Sequence, residues 1–269
     1  MEGTEKMENQ QLKNLLYEIN DYHYKTLDKF SLYLCHEFEK SNNITSKVIQ
    51  AIVDLYHAAS INLSETIIDK DNKIKGQFKS SYHPAVTADF EYLIARFLYH
   101  IGNMYEKGWS VDLRKQVKNA APDIRISKNG ETLWILELKV SMSWSKSFVS
   151  PTFYDKAKED FVNRKKDWDP DIFNQKQSNT LDKYSAVFNI PKEKIYFVTP
   201  SLATIHDRNP KLTIDKYRSH FKKVSGLPSD NFVVFNENLF QKLNVSEEAD
   251  LPFIATNNLE EMLMKFIEN

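Results

Sequence analysis

Apolar residues return every three or four positions through most of the first hundred residues, a period that predicts helices. Leu12, Leu15, Leu16 and Ile19 form one stripe, followed by Leu27, Phe30 and Leu34. Val48, Ile52, Leu55 and Ala59 form another behind the candidate caps Thr45 and Ser46. Polar runs at Ser41-Asn42-Asn43 and over 69–73 interrupt the pattern. Residues 71–84, with Lys73, Lys75 and Lys79 close together and Pro84 at the end, read as a linker. A strongly amphipathic helix follows, with Thr87 as its expected N-cap and Asp89 and Glu91 in its first turn. Its apolar stripe is Phe90, Leu93, Ile94, Phe97, Leu98, Ile101 and Tyr105.

Beyond Tyr105 the pattern shifts to strand character over Val111–Val117, Asp123–Ser127 and Thr132–Val140, with Asn129-Gly130 as a turn between the last two. This predicts a β-meander. Pro151 then opens a helix carrying Phe153, Ala157, Phe161 and Trp168 at helical spacing, decorated by Lys156, Lys158, Arg164, Lys165 and Lys166. Residues 169–189 show little periodicity and read as a loop insertion. A strand at Ile195–Val198, a helix over Ile214–Val224, a strand at Phe232–Phe235 and a closing helix complete the order. The closing helix carries Leu259, Met262, Leu263, Phe266 and Ile267, with Asn258 as cap. The whole predicts an α/β fold: a mixed central sheet flanked by helices, with a helical N-terminal region. That region, residues 1–84, is expected to pack on a core of residues 85–269.

Composition narrows the function classes. Of 269 residues 41% are apolar and 27% charged, with only 6 Gly, 9 Pro and one cysteine. A lone Cys35 supplies neither a disulfide nor a cysteine zinc cluster, which points to a reducing, cytoplasmic setting. The first thirty residues hold no apolar run of signal-peptide length, and no segment approaches the ~20 apolar residues that a bilayer requires, so no membrane partner is expected. Net charge is −1, but it is unevenly spread. Residues 107–223 carry 23 Lys+Arg against 14 Asp+Glu, and the remainder carries 13 against 23. A basic middle suits a local phosphate-binding surface. No Gly-rich phosphate loop occurs among the scattered glycines, and the seven histidines show no HExxH or HxH spacing.

The segment with chemistry in it is Ala121–Lys139. It sets Asp123 at the start of one strand, and Glu137 and Lys139 inside the apolar strand that follows. Charges inside a buried strand are rare unless paired or bound to something. Glu137 and Lys139 share one face by the two-residue period, with Leu136, Leu138 and Val140 on the other. Whether Asp123 joins them depends on the turn. A two-residue Asn129-Gly130 turn pairs 123 with 136 and leaves Asp123 on the opposite face. A three-residue Lys128-Asn129-Gly130 loop pairs 123 with 135 and brings the three together. The sequence permits both; Gly130 standing where the longer loop needs positive φ favours that loop. Two carboxylates from adjacent strands, completed by the Leu138 carbonyl, make a hard-oxygen site suited to Mg²⁺. Lys139 would then position, or help deprotonate, a water that attacks a phosphodiester.

Pro122-Asp123, thirteen residues, then Glu137-Leu138-Lys139 resembles the signature of the PD-(D/E)xK nuclease superfamily, which includes most type II restriction endonucleases. The order of helix, meander, crossover helix and strand from Thr87 to Val198 also resembles that family's core; the 80 residues before it and the 70 after it are unmatched. The other Pro-Asp, at 170–171, is followed by no acid-x-Lys triplet. The resemblance implies a restriction-endonuclease-like core and a Mg²⁺-dependent endodeoxyribonuclease. Its acidic cluster would be Glu91, Asp123 and Glu137, with Lys139 beside the attacking water. It further implies double-stranded DNA as substrate, a homodimer cutting both strands of a short site, and a cognate methyltransferase. The same fold also serves nucleases of RNA and of branched or single-stranded DNA, and catalytically silent DNA-binding modules. His83, just before the Glu91 helix, occupies the place of a histidine in a related metal-site variant.

Overall fold

In a computed structural model the described residues are 2–41, 44–64, 84–142, 145–164, 167–206, 211–241, 243 and 253–269. The expected linker over 71–83, His83, Asn42-Asn43, Lys165 and Lys166 lie outside them. Two long helices open the chain, α1 (Glu2–Ser41) and α2 (Thr45–Ser64), followed by α3 (Pro84–Met104). Helix α3 starts at Pro84, whose missing N–H is no loss in a first turn, so Thr87 lies inside the helix and does not cap it. The meander is β1 (Ser110–Leu113), β2 (Ile124–Lys128) and β3 (Glu131–Leu138). The first strand is shorter than expected; Val117 reaches only an isolated bridge to Ala120.

Next come a one-turn helix α4 (Lys146–Val149), α5 (Pro151–Arg164) and α6 (Pro170–Phe188). Helix α6 replaces the expected loop over 169–189. Asp169 caps it by accepting from the Asp171 N–H, Pro170 stands in its first turn, and a left-handed Asn189 ends it. Trp168 lies in the connection before α6, beyond the helix expected to carry it. The order closes with β4 (Ile195–Thr199), α7 (Ile214–Ser225), β5 (Phe232–Val234) and α8 (Asn258–Glu268). Asn257, not Asn258, holds the N-cap position of α8, and the Asn258 amide donates to the Val234 carbonyl.

The strands form one mixed sheet in the order β1-β2-β3-β4-β5, antiparallel across β1, β2 and β3 and parallel across β3, β4 and β5. Alternation along β4 shows how the faces are divided. Tyr196 and Val198 join a core with α1, α2, α3 and α8, while Ile195 and Phe197 join a second core with α4, α6 and α7. The sheet is therefore the middle of three layers, as helices crossing between parallel strands require. Gly102 on α3 lets Trp109 approach closely; a Cβ there would meet the indole at 2.8 Å. The N-terminal helices are tied in by polar bonds as well. Asp28 on α1 accepts from Arg96 and His100 on α3, and the buried carboxylate of Glu260 on α8 accepts the Ile44 and Thr45 N–H groups at 2.6 and 2.8 Å. That carboxylate does from a distant helix what a local N-cap does for α2. Among the described residues, no helix is long and apolar enough to cross a membrane.

Candidate functional site

The position of Asp123 relative to Glu137 is decided by a turn and a bulge together. Asn129 and Gly130 both have positive φ, 52° and 85°, and make a two-residue turn closing on Lys128 and Glu131. This is the tighter of the two turns, so the expected three-residue loop does not form. Alone it would pair Asp123 with Leu136. A bulge restores the face: Ser127 pairs with Thr132 but Ile126 with Trp134, which leaves Leu133 as an extra residue on β3. Beyond it Ile124 pairs with Leu136, and the continued register sets Asp123 opposite Glu137.

The two carboxylates meet at the Lys139 ammonium. Lys139 Nζ lies 2.6 Å from Glu137 Oε1, 3.4 Å from Asp123 Oδ2 and 3.1 Å from the Leu138 carbonyl. Asp123 Oδ2 also accepts the Leu138 backbone N–H at 2.7 Å, which locks the carboxylate against the end of β3. The far oxygen of Glu137 accepts from the Tyr184 hydroxyl at 3.1 Å. Tyr184 comes from α6, the segment whose sequence read as loop, and no signal in that segment marks it. The groups sit at the carboxyl ends of β3 and β4, where ligands of open α/β sheets gather.

Glu91 reaches this place from α3, in the layer covering the other sheet face. Its side chain is 3% exposed, and Arg114, at the end of β1, grips it with both Nε and Nη2, the latter at 2.7 Å from Oε1. Asp89, the neighbouring acid on α3, accepts instead from His23 on α1 at 2.8 Å. Asp123, Glu137 and Lys139 are thus joined directly, while Glu91 is joined through Arg114, whose backbone N–H donates to the Asp123 carbonyl at 2.9 Å.

Burial raises the Glu137 carboxyl above the ordinary range; Lys139 opposes the rise and the Asp123 charge adds to it. Lys139 would be lowered by its own burial, but the Glu137 and Asp123 charges outweigh that and raise it. The lysine is therefore an ammonium. Burial also raises Glu91, partly offset by Arg114, and raises the Tyr184 hydroxyl, which stays a proton donor to Glu137.

The donor set is three hard oxygens, from Asp123, Glu137 and Leu138, already directed at one cation, the lysine head. This is the chemistry that Mg²⁺ takes, with waters and substrate oxygens filling the remaining positions. Among the described residues no group of three or more His, Cys, Asp or Glu side chains is arranged to hold a metal ion; the third acid, Glu91, is bonded by Arg114. Of the basic residues after the site, Lys158 is paired with Asp171 and Arg164 with Asp160, and Lys146 lies over the Phe153 ring. The Lys158 and Arg164 charges are therefore offset within the fold. Comparison with protein-family models, with curated proteins and with solved structures finds no match.

Proposed function

We propose that this chain is a Mg²⁺-dependent endodeoxyribonuclease with a restriction-endonuclease-like core, hydrolysing phosphodiester bonds at a short duplex site as a type II restriction enzyme does. One observation carries the reading. Asp123 Oδ2, Glu137 Oε1 and the Leu138 carbonyl, from two adjacent strands, lie within 3.4 Å of one cationic centre. A buried acidic pair with a lysine serves poorly as a structural feature, since an apolar trio of the same volume would stabilise the strand as well or better.

Asp123, Glu137 and the Leu138 carbonyl would hold the metal ion, which when bound acidifies a coordinated water and neutralises charge developing on the phosphate. Tyr184 holds the outer oxygen of Glu137, which leaves the inner oxygen, now on Lys139, as the one that would be offered to the ion. Displaced from the Asp123, Glu137 and Leu138 oxygens by the ion, the Lys139 ammonium would donate to the oxygen of the attacking water and hold it toward the phosphate. The water's proton leaves to solvent, because an ammonium cannot accept it, and as the new P–O bond forms the P–O bond to the leaving oxygen breaks, that oxygen taking a proton from solvent. As charge grows on the phosphate oxygens in the transition state, the same ammonium stabilises it. This narrows the role expected for Lys139 to orientation and charge. The reading carries with it a homodimer, two sites cutting the two strands of a symmetric sequence, and a methyltransferase protecting that sequence in the same cell.

The test is digestion of unmethylated phage DNA with Mg²⁺, in parallel with EDTA and with Lys139→Ala. Discrete fragments that vanish in both controls are expected. An enzyme that leaves every duplex intact but cuts RNA or branched DNA keeps the fold reading and changes the substrate. No cleavage of any nucleic acid leaves a silent binding module.

A further inference from the structure

We propose that Arg114 grips the substrate phosphate beside the scissile bond and that Glu91 is the carboxylate that aims it, a positioning residue and not a metal ligand. The inference rests on the nuclease reading and deepens it. It starts from an imbalance: the site gathers three acids, Glu91, Asp123 and Glu137, and a polyanion must approach them. Lys139 lies between Asp123 and Glu137, one positive charge against two negative ones. Lys115 and Arg125, the neighbouring cations, are both bound to Asp112. Arg114 combines what those two have singly: its side chain is exposed (55%), as that of Lys115 is, and it makes a two-nitrogen bond to a buried carboxylate, as the 15% exposed Arg125 does to Asp112.

The way that bond is made leaves a binding edge free. A guanidinium has five N–H donors on two usable edges. Glu91 takes the Nε–Nη2 edge, so the Nη1–Nη2 edge points away from Glu91 with the geometry that matches two phosphate oxygens. The arginine is also anchored at its backbone. Its N–H bonds the Asp123 carbonyl, and it holds a left-handed conformation, φ 49°, that a non-glycine residue adopts only when its surroundings require it. Backbone and side chain together fix the guanidinium next to Asp123. A lysine there could reach both groups but could not make a two-pronged bond to either.

Three variants test this on the full chain. Arg114→Lys keeps a cation opposite Glu91 and so preserves the fold. Glu91→Gln with Arg114→Gln removes both charges together, leaving no buried charge alone. For both, kcat/KM on phage DNA is expected to fall about tenfold to a hundredfold, the loss of charge-assisted hydrogen bonds to one phosphate, with the larger part in KM. In the double variant the salt dependence of DNA binding in Ca²⁺ should lose about 0.9 of its log–log slope, one phosphate contact. Glu91→Gln alone should bind Mn²⁺, followed by electron paramagnetic resonance without DNA, as the wild type does. Wild-type kcat/KM in both arginine variants, with a wild-type salt slope in the double variant, would overturn the role of Arg114. Weakened Mn²⁺ binding in Glu91→Gln would make Glu91 a metal ligand and overturn its role as aimer. A wild-type protein that cleaves no nucleic acid overturns the nuclease reading itself, and this inference with it.

Discussion

Replacing Lys139 by Met exposes the energetics of the site most fully, because the unbranched apolar stem is kept and the ammonium with its hydrogen bonds is removed. The ammonium is 2.6 Å from Glu137 and 3.4 Å from Asp123, in a site where the two carboxylates are 16% and 15% exposed. Without it, two acids on facing strands share one poorly solvated place. Breaking a buried ion pair from one side costs about 3–5 kcal/mol, and the partial opening of this site sets the cost near the lower figure, roughly 3 kcal/mol. For a chain of this size that is about 6–12 °C in melting temperature. The assay is thermal unfolding in EDTA at several pH values. Glu137 is already raised above its ordinary 4.5 by burial, and loss of Lys139 raises it further. A carboxyl raised in the folded state costs stability as pH climbs through its folded value, so the deficit should be full at pH 8 and shrink toward pH 5. A divalent cation that replaces the ammonium should restore stability, by about 1.4 kcal/mol at ten times its dissociation constant. A variant that melts with the wild type in EDTA at pH 8 would refute the reasoning, since the lysine would then not be the counter-charge of the pair.

Three further outcomes are expected. Tyr184→Phe should cost about 1.5 kcal/mol in urea unfolding, the value of a hydrogen bond to a charged acceptor, and should slow cleavage by loosening Glu137. Glu260→Ala should cost about 3 kcal/mol, because it strands the buried Ile44 and Thr45 donors at the start of α2; Glu260→Gln should lose less, and the same urea titrations separate the two. Burial lowers His220 below its ordinary 6.5, and the neutral ring bonds the Ser147 carbonyl. Stability should therefore fall as pH drops from 6.5 toward the folded value, and His220→Gln should flatten that part of the melting profile.

Which parts of this structure could be read in advance follows from where the information sits. Glu137 and Lys139 were legible because charge two residues apart in an apolar strand has few explanations, and the meander because its period shortens after Tyr105. The register was not legible. It turns on one extra residue, Leu133, and Thr132-Leu133-Trp134 carries no mark of a bulge. Helix α6 was hidden because its pattern is inverted at its start, with Ile172 exposed and Asn174 buried against Ser147; with it went Tyr184. Arg114 and Glu91 lie 23 residues apart, and Glu260 and Thr45 215 apart. Arg114 and Glu260 look like ordinary solvated charges until the fold closes the distance.

The most direct measurement of the central claim is conversion of supercoiled plasmid by the purified protein, with Mg²⁺ supplied or withheld, beside Asp123→Asn. Mg²⁺-dependent linear product from the wild type and none from the variant is the predicted result. Equal conversion by the two proteins, or conversion that persists in EDTA, would mean that Asp123, Glu137 and Lys139 are not the site of the chemistry.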